Sequence, residues 1–571
     1  MVQKFTVLVL VIFGNIVHLS GQTLPVGTTG LEDYYRREQL LGRLDSTLSF
    51  NVRPLSQEVL QQHNIFDPTA QQATSNSILW EEEGRGRVQL LPVTWQNQVT
   101  SSYPYGWNDG PMVPTTGYQT MFSAGIYASY KFLSVQLRPE VVYAQNSDYL
   151  GFRSDDGGTR IRYAQILNRI DMPPYFGEGS YSKAFLGQSS VRLNFHPISI
   201  GVSTENIWWG PGRRNALLMS NTAPGFPHIT LNTTKPIRTP IGSIEGQFVT
   251  GYTRSSGIDP TLRLEEDYTN LYRPKDGIDR RYFQGVVLSY QPKWLPGLSL
   301  GLNRSVIINR NNMADGFRGY FPLFNGLSKS SSLDPETGEV AANQRRDDEY
   351  FSIFGRWVIP DAQLEVYGEY GRNDASWDFR DLLVQLEHSR AYMIGFRKLV
   401  DLHKPEGDLL QVGMEFTQLE APKTATLRES LTWYTHSLVR NGYTHQGQIL
   451  GAGVGPGNNV QSLDVSWIRG IKQLGVEFER LVHNNDFFYQ SYGAAYVETF
   501  RDPRRNWVDL SIALHGVWDY KNFIFSSKLH FMKAFNYQYA IEENNDPMLY
   551  WNYRAQDKGN VQFQLGASYR F

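Results

Sequence analysis

From about residue 86 to the end of the chain, apolar and polar side chains alternate with a period of two in many short runs. In the last stretch Val561, Phe563, Leu565, Ala567, Tyr569 and Phe571 alternate with Gln562, Gln564, Gly566, Ser568 and Arg570. Residues two apart share one side of a strand, so this run predicts a strand with one apolar and one polar face. Leu463, Val465 and Trp467 alternate in the same way with Asp464 and Ser466. Val508, Leu510, Ile512 and Leu514 alternate with Asp509, Ser511, Ala513 and His515. Phe523, Phe525, Leu529 and Phe531 flank Ser526, Lys528 and His530, and Val135, Leu137, Pro139, Val141 and Tyr143 point one way from Ser134 to Tyr143. Such alternation fits a sheet facing lipid and equally one packed on a soluble core. Stretches rich in Asp, Asn, Gly or Pro mark loops at Ser154 to Gly158, Asn325 to Arg346, Gly451 to Asn459 and Glu542 to Pro547. About 480 residues, at about 25 to 30 per strand with its connection, predict about 16 to 20 strands, with about 18 as the single value.

The first part of the chain has a different period. Leu31, Tyr34 or Tyr35, Leu41 and Leu44 recur at helical spacing among charges, and Pro54-Leu55-Ser56-Gln57 suits the start of a second short helix. Residues 22–85 are therefore expected to form a helical periplasmic segment, a plug or cap on a body formed by residues 86–571. Lys4, the apolar run from Phe5 to Phe13 and the small residues Ser20 and Gly21 have the layout of a cleaved export signal over residues 1–21.

Beyond that signal no window approaches the roughly 18 to 20 apolar residues of a membrane-spanning helix. A membrane protein with this sequence must cross with strands, and only a closed barrel satisfies all their backbone groups in lipid. The expected fold is all-β, a transmembrane antiparallel barrel in the outer membrane of a Gram-negative cell. Composition agrees: mean hydropathy is −0.40, while aromatic content reaches 13%, an excess that interfacial aromatic girdles give and that a large secreted β-protein or a carbohydrate-active enzyme shows as well. A formal net charge of −2 gives no sign of a nucleic-acid partner, and the absence of cysteine excludes disulfides and a lipidated N-terminus. The chain ends on an aromatic residue of its own strand, Phe571, which points to recognition by the barrel assembly machinery. Outer-membrane lipid is the expected surroundings, and a monomer the expected state.

Little resembles a catalytic site. There is no HExxH, no G-x-S-x-G and no paired Cys/His metal spacing. Ser180 and Lys183 form an isolated S-x-x-K, and Gly451 to Gly457 lacks the Lys-Ser/Thr ending of a phosphate loop. Glu365 and Glu369 share a strand face and would suit acid/base work on a glycosidic bond, but solvated lumenal charges explain them as well. Four stretches instead mix ring faces with multidentate polar groups, the combination that sugar recognition needs. Glu205 to Arg214 carries Trp208, Trp209, Arg213 and Arg214, and Asn221 to Leu231 carries Asn221 and His228. Trp433 to His445 carries Tyr434, His436, Tyr443 and His445, while Glu477 to Tyr489 carries Arg480, His483, Asn484 and Asp486.

Six segments resemble the capsule assembly Wzi family: Gly30 to Ser56, Gly106 to Thr120, Leu137 to Asn146, Ile207 to Leu231, Trp433 to Asn459 and Phe478 to Tyr489. The most specific are IWWGPGRRNALLMSNTAPGFPHITL and WYTH…GYTHQGQILGAGVGPGNN. The resemblance implies an 18-stranded barrel with a small N-terminal helical bundle at its periplasmic end. It also implies non-catalytic, lectin-like binding that anchors capsular polysaccharide or exopolysaccharide, with no cofactor and no metal. The fourteen residues above are candidates from their side-chain chemistry, since no short family motif marks the sugar contacts. The rival expectation is a diffusion channel whose lumenal charges select solutes.

Overall fold

The computed structural model describes residues 21–69, 77–83, 85–154, 156–264, 266–275, 279–324, 331–333, 340–342, 347–373, 379–428, 430–492, 503–540 and 556–571. The expected export signal up to residue 20, the loop at Glu542 to Pro547 and most of the loop at Asn325 to Arg346 lie outside these residues.

The alternating runs form one antiparallel sheet that closes on itself. Its strands are β1 (Gly86–Thr100), β2 (Gly117–Tyr130), β3 (Leu133–Leu137 and Glu140–Ala144), β4 (Tyr181–Phe185 and Ser190–Phe195), β5 (Ile198–Ser203) and β6 (His228–Thr233 and Ile237–Thr239). Next come β7 (Gly242–Arg254), β8 (Arg280–Pro292), β9 (Leu298–Asn309), β10 (Asp347–Ile359), β11 (Leu364–Asn373) and β12 (Arg390–Asp401). The circuit ends with β13 (Leu409–Gln418), β14 (Asn459–Arg469), β15 (Lys472–Val482), β16 (Val508–Tyr520), β17 (Phe523–Phe535) and β18 (Lys558–Tyr569). Each pairs with the next, and β18 pairs with β1 from Gln562↔Thr100 to Tyr569↔Val93, closing an 18-stranded barrel. Prolines explain the irregular places. The β1–β2 register slips between Leu91 and Thr94, where Pro92 cannot donate to the ladder, and Pro139 divides the two halves of β3.

The two faces separate as the pattern requires. Val135, Leu137, Val141, Tyr143, Leu510, Ile512, Leu514, Val561, Phe563 and Leu565 are all exposed on the outside. The alternate positions, among them Gln136, Arg192, Gln247, Arg356, Gln411 and Gln562, are buried in the lumen. An apolar outside around a polar inside is the reverse of a water-soluble barrel and fits a lipid surround.

The connections fix the orientation. At one end they run from two residues (131–132) to seven (402–408), and at the other from 16 (101–116) to 40 (419–458). Short turns belong to the periplasmic rim and long loops to the cell exterior.

Residues 21–69 sit inside the short-turn end. Helix α1 (Leu31–Leu40) turns Leu31 and Tyr35 into a cluster with Ile471 and Ile524 and Leu40 into another with Val358 and Leu399 of the wall, and ends four residues before the expected Leu44. Glu32 and Asp33 in its first turn favour the helix dipole. Helix α2 (Gln57–Leu60) is capped by Ser56 Oγ, which accepts from Val59 N at 3.3 Å. The wall holds this plug by its polar face: Arg37 Nη2 donates to Gly470 O (3.0 Å), Gln291 Nε2 to Ser46 O (2.7 Å) and Arg570 Nη1 to Phe66 O (3.2 Å).

Candidate functional site

Inside the barrel the plug meets a loop descending from the outer end. Residues 204–227, between β5 and β6, turn inward until Trp208 and Trp209 pair as a short strand with Arg53 and Val52 of the plug. Trp209 is fully buried, its Nε1 donating to Gln247 Oε1 at 2.8 Å, while the Arg53 guanidinium lies 4.6 Å over the Trp208 ring. The Gly-Pro-Gly sequence makes the reversal possible. Gly210 has φ +96°, and a Cβ on Gly212 would stand 1.8 Å from Asn215 O.

Lumenal carboxylates lock this loop. Glu415 accepts from the backbone N–H of Arg213 (2.9 Å), Arg214 (3.2 Å) and Asn215 (2.8 Å), and from Tyr367 Oη (3.0 Å). Arg213 Nη2 reaches Asp33 of α1 at 3.1 Å, and Arg214 bridges Glu477 (2.5 Å) and Glu479. Glu365 is gripped by Arg36 Nε (3.0 Å), Arg356 Nη2 (2.6 Å) and Arg397 Nε (2.8 Å), all buried. Glu369 accepts from Leu217 N (3.1 Å) and Ser352 Oγ (2.6 Å). The two carboxylates considered as a hydrolytic pair are thus buried, one held by three arginines and the other by Leu217 N and Ser352 Oγ.

The second family-like segment packs on the first. Tyr434 Oη donates to Leu217 O and accepts from Ala452 N, both at 2.8 Å, and Tyr443 Oη meets Ser305 Oγ at 2.8 Å. His445 Nδ1 accepts from Arg254 N (3.0 Å), and His436 Nδ1 accepts from Val439 N (2.8 Å). His228 Nδ1 contacts Phe226 O (2.7 Å), and Asn221 Nδ2 donates to Asn108 O (2.8 Å). Arg480 stands on the outer wall of β15, its Nη1 donating to Gln461 Oε1 at 3.0 Å. Asp486 accepts from Ala421 N (2.8 Å) in helix α3 (Asn485–Tyr492), where burial pushes its carboxyl up to about 6. Of the fourteen sequence candidates, then, eleven hold loops in place and one faces outward.

The remaining two, His483 and Asn484, reach a cavity of about 320 Å³ at the outer end of the barrel. Its walls come from the loops after β1, β3, β5, β13, β15 and β17, and its lining is mainly aromatic. Tyr105, Trp107, Tyr149, Tyr163 and Trp507 are each half-buried there, backed by the fully buried Tyr103, Tyr537 and Tyr539. Polar groups are few and fixed. The His483 ring stacks on Trp507 at 3.7 Å and its Nε2 lies 3.1 Å from Asp509, while Asn484 Oδ1 caps Phe487 N at 3.0 Å. Asn458 and Gln448 complete the polar edge. Broad rings with a few oriented amide and imidazole groups match the apolar C–H faces and hydroxyl edges of a sugar. The sequence signal for these rings was the density of aromatics in Tyr103-Pro104-Tyr105-Gly106-Trp107 and in the loop ahead of β16.

A second cavity of about 300 Å³ lies inward of the first. Plug residues Pro25 to Thr29 and the inward groups Gln98, Arg138, Glu140 and Gln564 line it. Residues 106–110 with Asn221 and Thr222 stand between the two: Trp107 and Thr222 face the aromatic side, Asn108 and Asn221 the polar side.

Residues 110–566 match the model of the capsule assembly protein Wzi family. No curated protein matches the chain by sequence. Among solved structures, Wzi of Escherichia coli, an outer-membrane protein involved in group 1 capsule assembly and described as a carbohydrate-binding β-barrel, has a TM-score of 0.60 at 12% identity. The match covers 96% of this chain and 100% of that one, and it shows a common fold. OccAB2 of Acinetobacter baumannii gives a TM-score of 0.38 at 9% identity over 84% of this chain and 97% of its own, too low to carry an argument.

Proposed function

The chain belongs to the capsule assembly protein Wzi family, and from that premise we propose that this outer-membrane β-barrel binds an exported polysaccharide in its outer aromatic cavity. The observation that carries this reading is the gathering of Tyr105, Trp107, Tyr149, Tyr163 and Trp507 around His483 and Asn484, facing the cell exterior. The protein acts as a lectin: sugar rings lie on the aromatic faces, and His483, Asn484, Asn458 and Gln448 take the hydroxyls. No bond is made or broken, and no cofactor enters. A capsular polymer or exopolysaccharide repeats the same unit, so weak capture of one unit keeps the next at high local concentration and holds the chain at the surface. The buried residues of the 204–227 and 433–458 loops contribute by keeping the cavity in shape. The plug and these loops crossing the lumen speak against a wide diffusion channel.

Titration of the purified, detergent-solubilised protein with size-fractionated capsular oligosaccharides, followed by tryptophan fluorescence, tests the proposal. Saturable binding that weakens in the Trp107→Ala/Trp507→Ala variant is expected. Equal binding by that variant, in a folded barrel, would move the site elsewhere. Steady single-channel conductance with no oligosaccharide binding would favour the pore.

A further inference from the structure

On the outside of the barrel, the outer ends of β7, β8 and β9 carry side chains in a layered order set by strand register. Arg254 stands directly opposite Arg280, and the Arg281↔Asn309 pair makes Arg310 next in line. All three are exposed, and no acid is paired with them in the ion pairs found among the described residues. Like charges directly opposed across strands destabilise a sheet, so a row of three calls for an anion above it. The nearest acids in register are Asp279, which accepts from Ser255 Oγ at 3.1 Å, and Asp347, opposite Ile308; the row keeps a positive excess.

One rung below come Tyr252, Tyr282 and Ile308, the two tyrosine rings 5.6 Å apart. Deeper rungs bring Phe248 and Val286, then Leu288 and Leu302, and finally Ile244, Tyr290 and Leu300 near the periplasmic turns. Eight residues separate Tyr282 from Tyr290. At about 3.4 Å per residue and a tilt of about 40°, they stand about 21 Å apart along the membrane normal, close to the height of an apolar band. The arginines therefore stand just above the outer aromatic girdle, level with lipid head groups.

A second feature occupies the same wall. The segment Phe317 to Phe324, from the loop after β9, folds back over the outside of β8 and β9. Tyr282 Oη (2.7 Å) and Gln284 Nε2 (3.0 Å) both donate to Tyr320 O, and Leu323 N donates to Gln284 Oε1 (3.2 Å). Arg304 donates to Leu323 O (2.5 Å) and pairs with Glu349 (2.6 Å). Polar groups that would otherwise face acyl chains unsatisfied are thereby closed off. The segment turns Phe317 and Phe324, 68% and 70% exposed, away from the barrel, with Phe321 stacked on Phe317 at 4.6 Å.

We propose that this wall is a binding site for the phosphorylated head of an outer-leaflet glycolipid. Arg254, Arg280 and Arg310 hold its phosphates through charge-assisted hydrogen bonds, and Phe317 and Phe324 enter its acyl layer. The site is separate from the aromatic cavity and stands or falls independently of it. The test uses the full-length protein in non-ionic detergent, titrated with bisphosphorylated lipid A and with its dephosphorylated form and read by native mass spectrometry. Lipid A should bind and the dephosphorylated form should bind weakly. The R254Q/R280Q/R310Q variant should bind lipid A about 100-fold more weakly, and F317S/F324S about tenfold more weakly. Millimolar inorganic phosphate should not compete, which separates a lipid site from a phosphate site. Trp107→Ala/Trp507→Ala should leave lipid binding unchanged. Wild-type lipid affinity in the folded triple-arginine variant would overturn the proposal. So would a triple variant that loses an acidic polysaccharide but keeps lipid A, which would make the row part of a glycan-binding rim.

Discussion

Two pairs of tryptophans divide this barrel. Trp208 and Trp209 are sealed between plug and wall, one beneath the Arg53 guanidinium and the other hydrogen-bonded to Gln247. Trp107 and Trp507 stand half-buried in the outer cavity with ring area free. The same side chain locks a loop in one place and offers a binding surface in the other. What separates the two roles is how much of the ring the fold has already covered. The charges divide in the same way: Arg213 and Arg214 end on Asp33, Glu477 and Glu479, whereas Arg254 and Arg280 lie exposed on the outer wall.

The strongest challenge to this division is Glu365→Ala, which leaves Arg36 and Arg356 as buried cations without their carboxylate and Arg397 with Asp33 alone. Loss of about 3–5 kcal/mol is expected, seen as failure to form the heat-modifiable folded species on gels. Trp209→Ala comes next, with about 3 kcal/mol lost to a lumenal cavity. Its melting temperature should drop while oligosaccharide affinity below the transition stays near wild type. A matching loss of affinity would place Trp209 in the site after all. Trp107→Ala and Trp507→Ala should show the opposite signature. Each weakens oligosaccharide binding by about two- to tenfold, or about 0.5–1.5 kcal/mol, with little change in thermal stability.

The smallest effect concerns pH. Asp486 lies in an outer loop with its carboxyl raised to about 6 by burial. The folded loop therefore holds its proton more tightly than the unfolded chain, and the stability contributed by the protonated form falls as pH rises from about 4 to about 6. Asp486→Asn keeps an oxygen for Ala421 N and should flatten that slope, measurable by hydrogen exchange of the 419–428 and 485–492 backbone. An unchanged slope would show that another group titrates there.

Much of the architecture was legible because a membrane imposes a strict pattern. Along Val508 to His515 or Val561 to Phe571, one face must be apolar for lipid and the other polar for the lumen, so alternation located strands, and the length of the alternating region gave a count of about 18. The site was far less legible. Trp208, Arg213, Tyr434 and His445 have the chemistry of sugar recognition, but that chemistry also suits a buried polar lock, and local sequence does not record which partners a loop will meet. Glu415, some two hundred residues from Arg213, satisfies three N–H groups of the 213–215 turn. No spacing rule connects them.

By itself, then, the sequence determined the alternating strands with their apolar and polar faces and the short helices near residues 31–40 and 57–60, whereas Ile78–Glu82, inside the segment expected to be helical, forms a strand paired with β1. Those strand faces and helices follow from the period of side chains along a local run. Only the tertiary structure decided that residues 204–227 fall inward to the plug, that 317–324 folds back over the outer wall, and that rings from four separate loops share one cavity. Those outcomes depend on contacts between residues far apart in the chain, where burial and hydrogen-bond satisfaction, rather than local pattern, choose the partner.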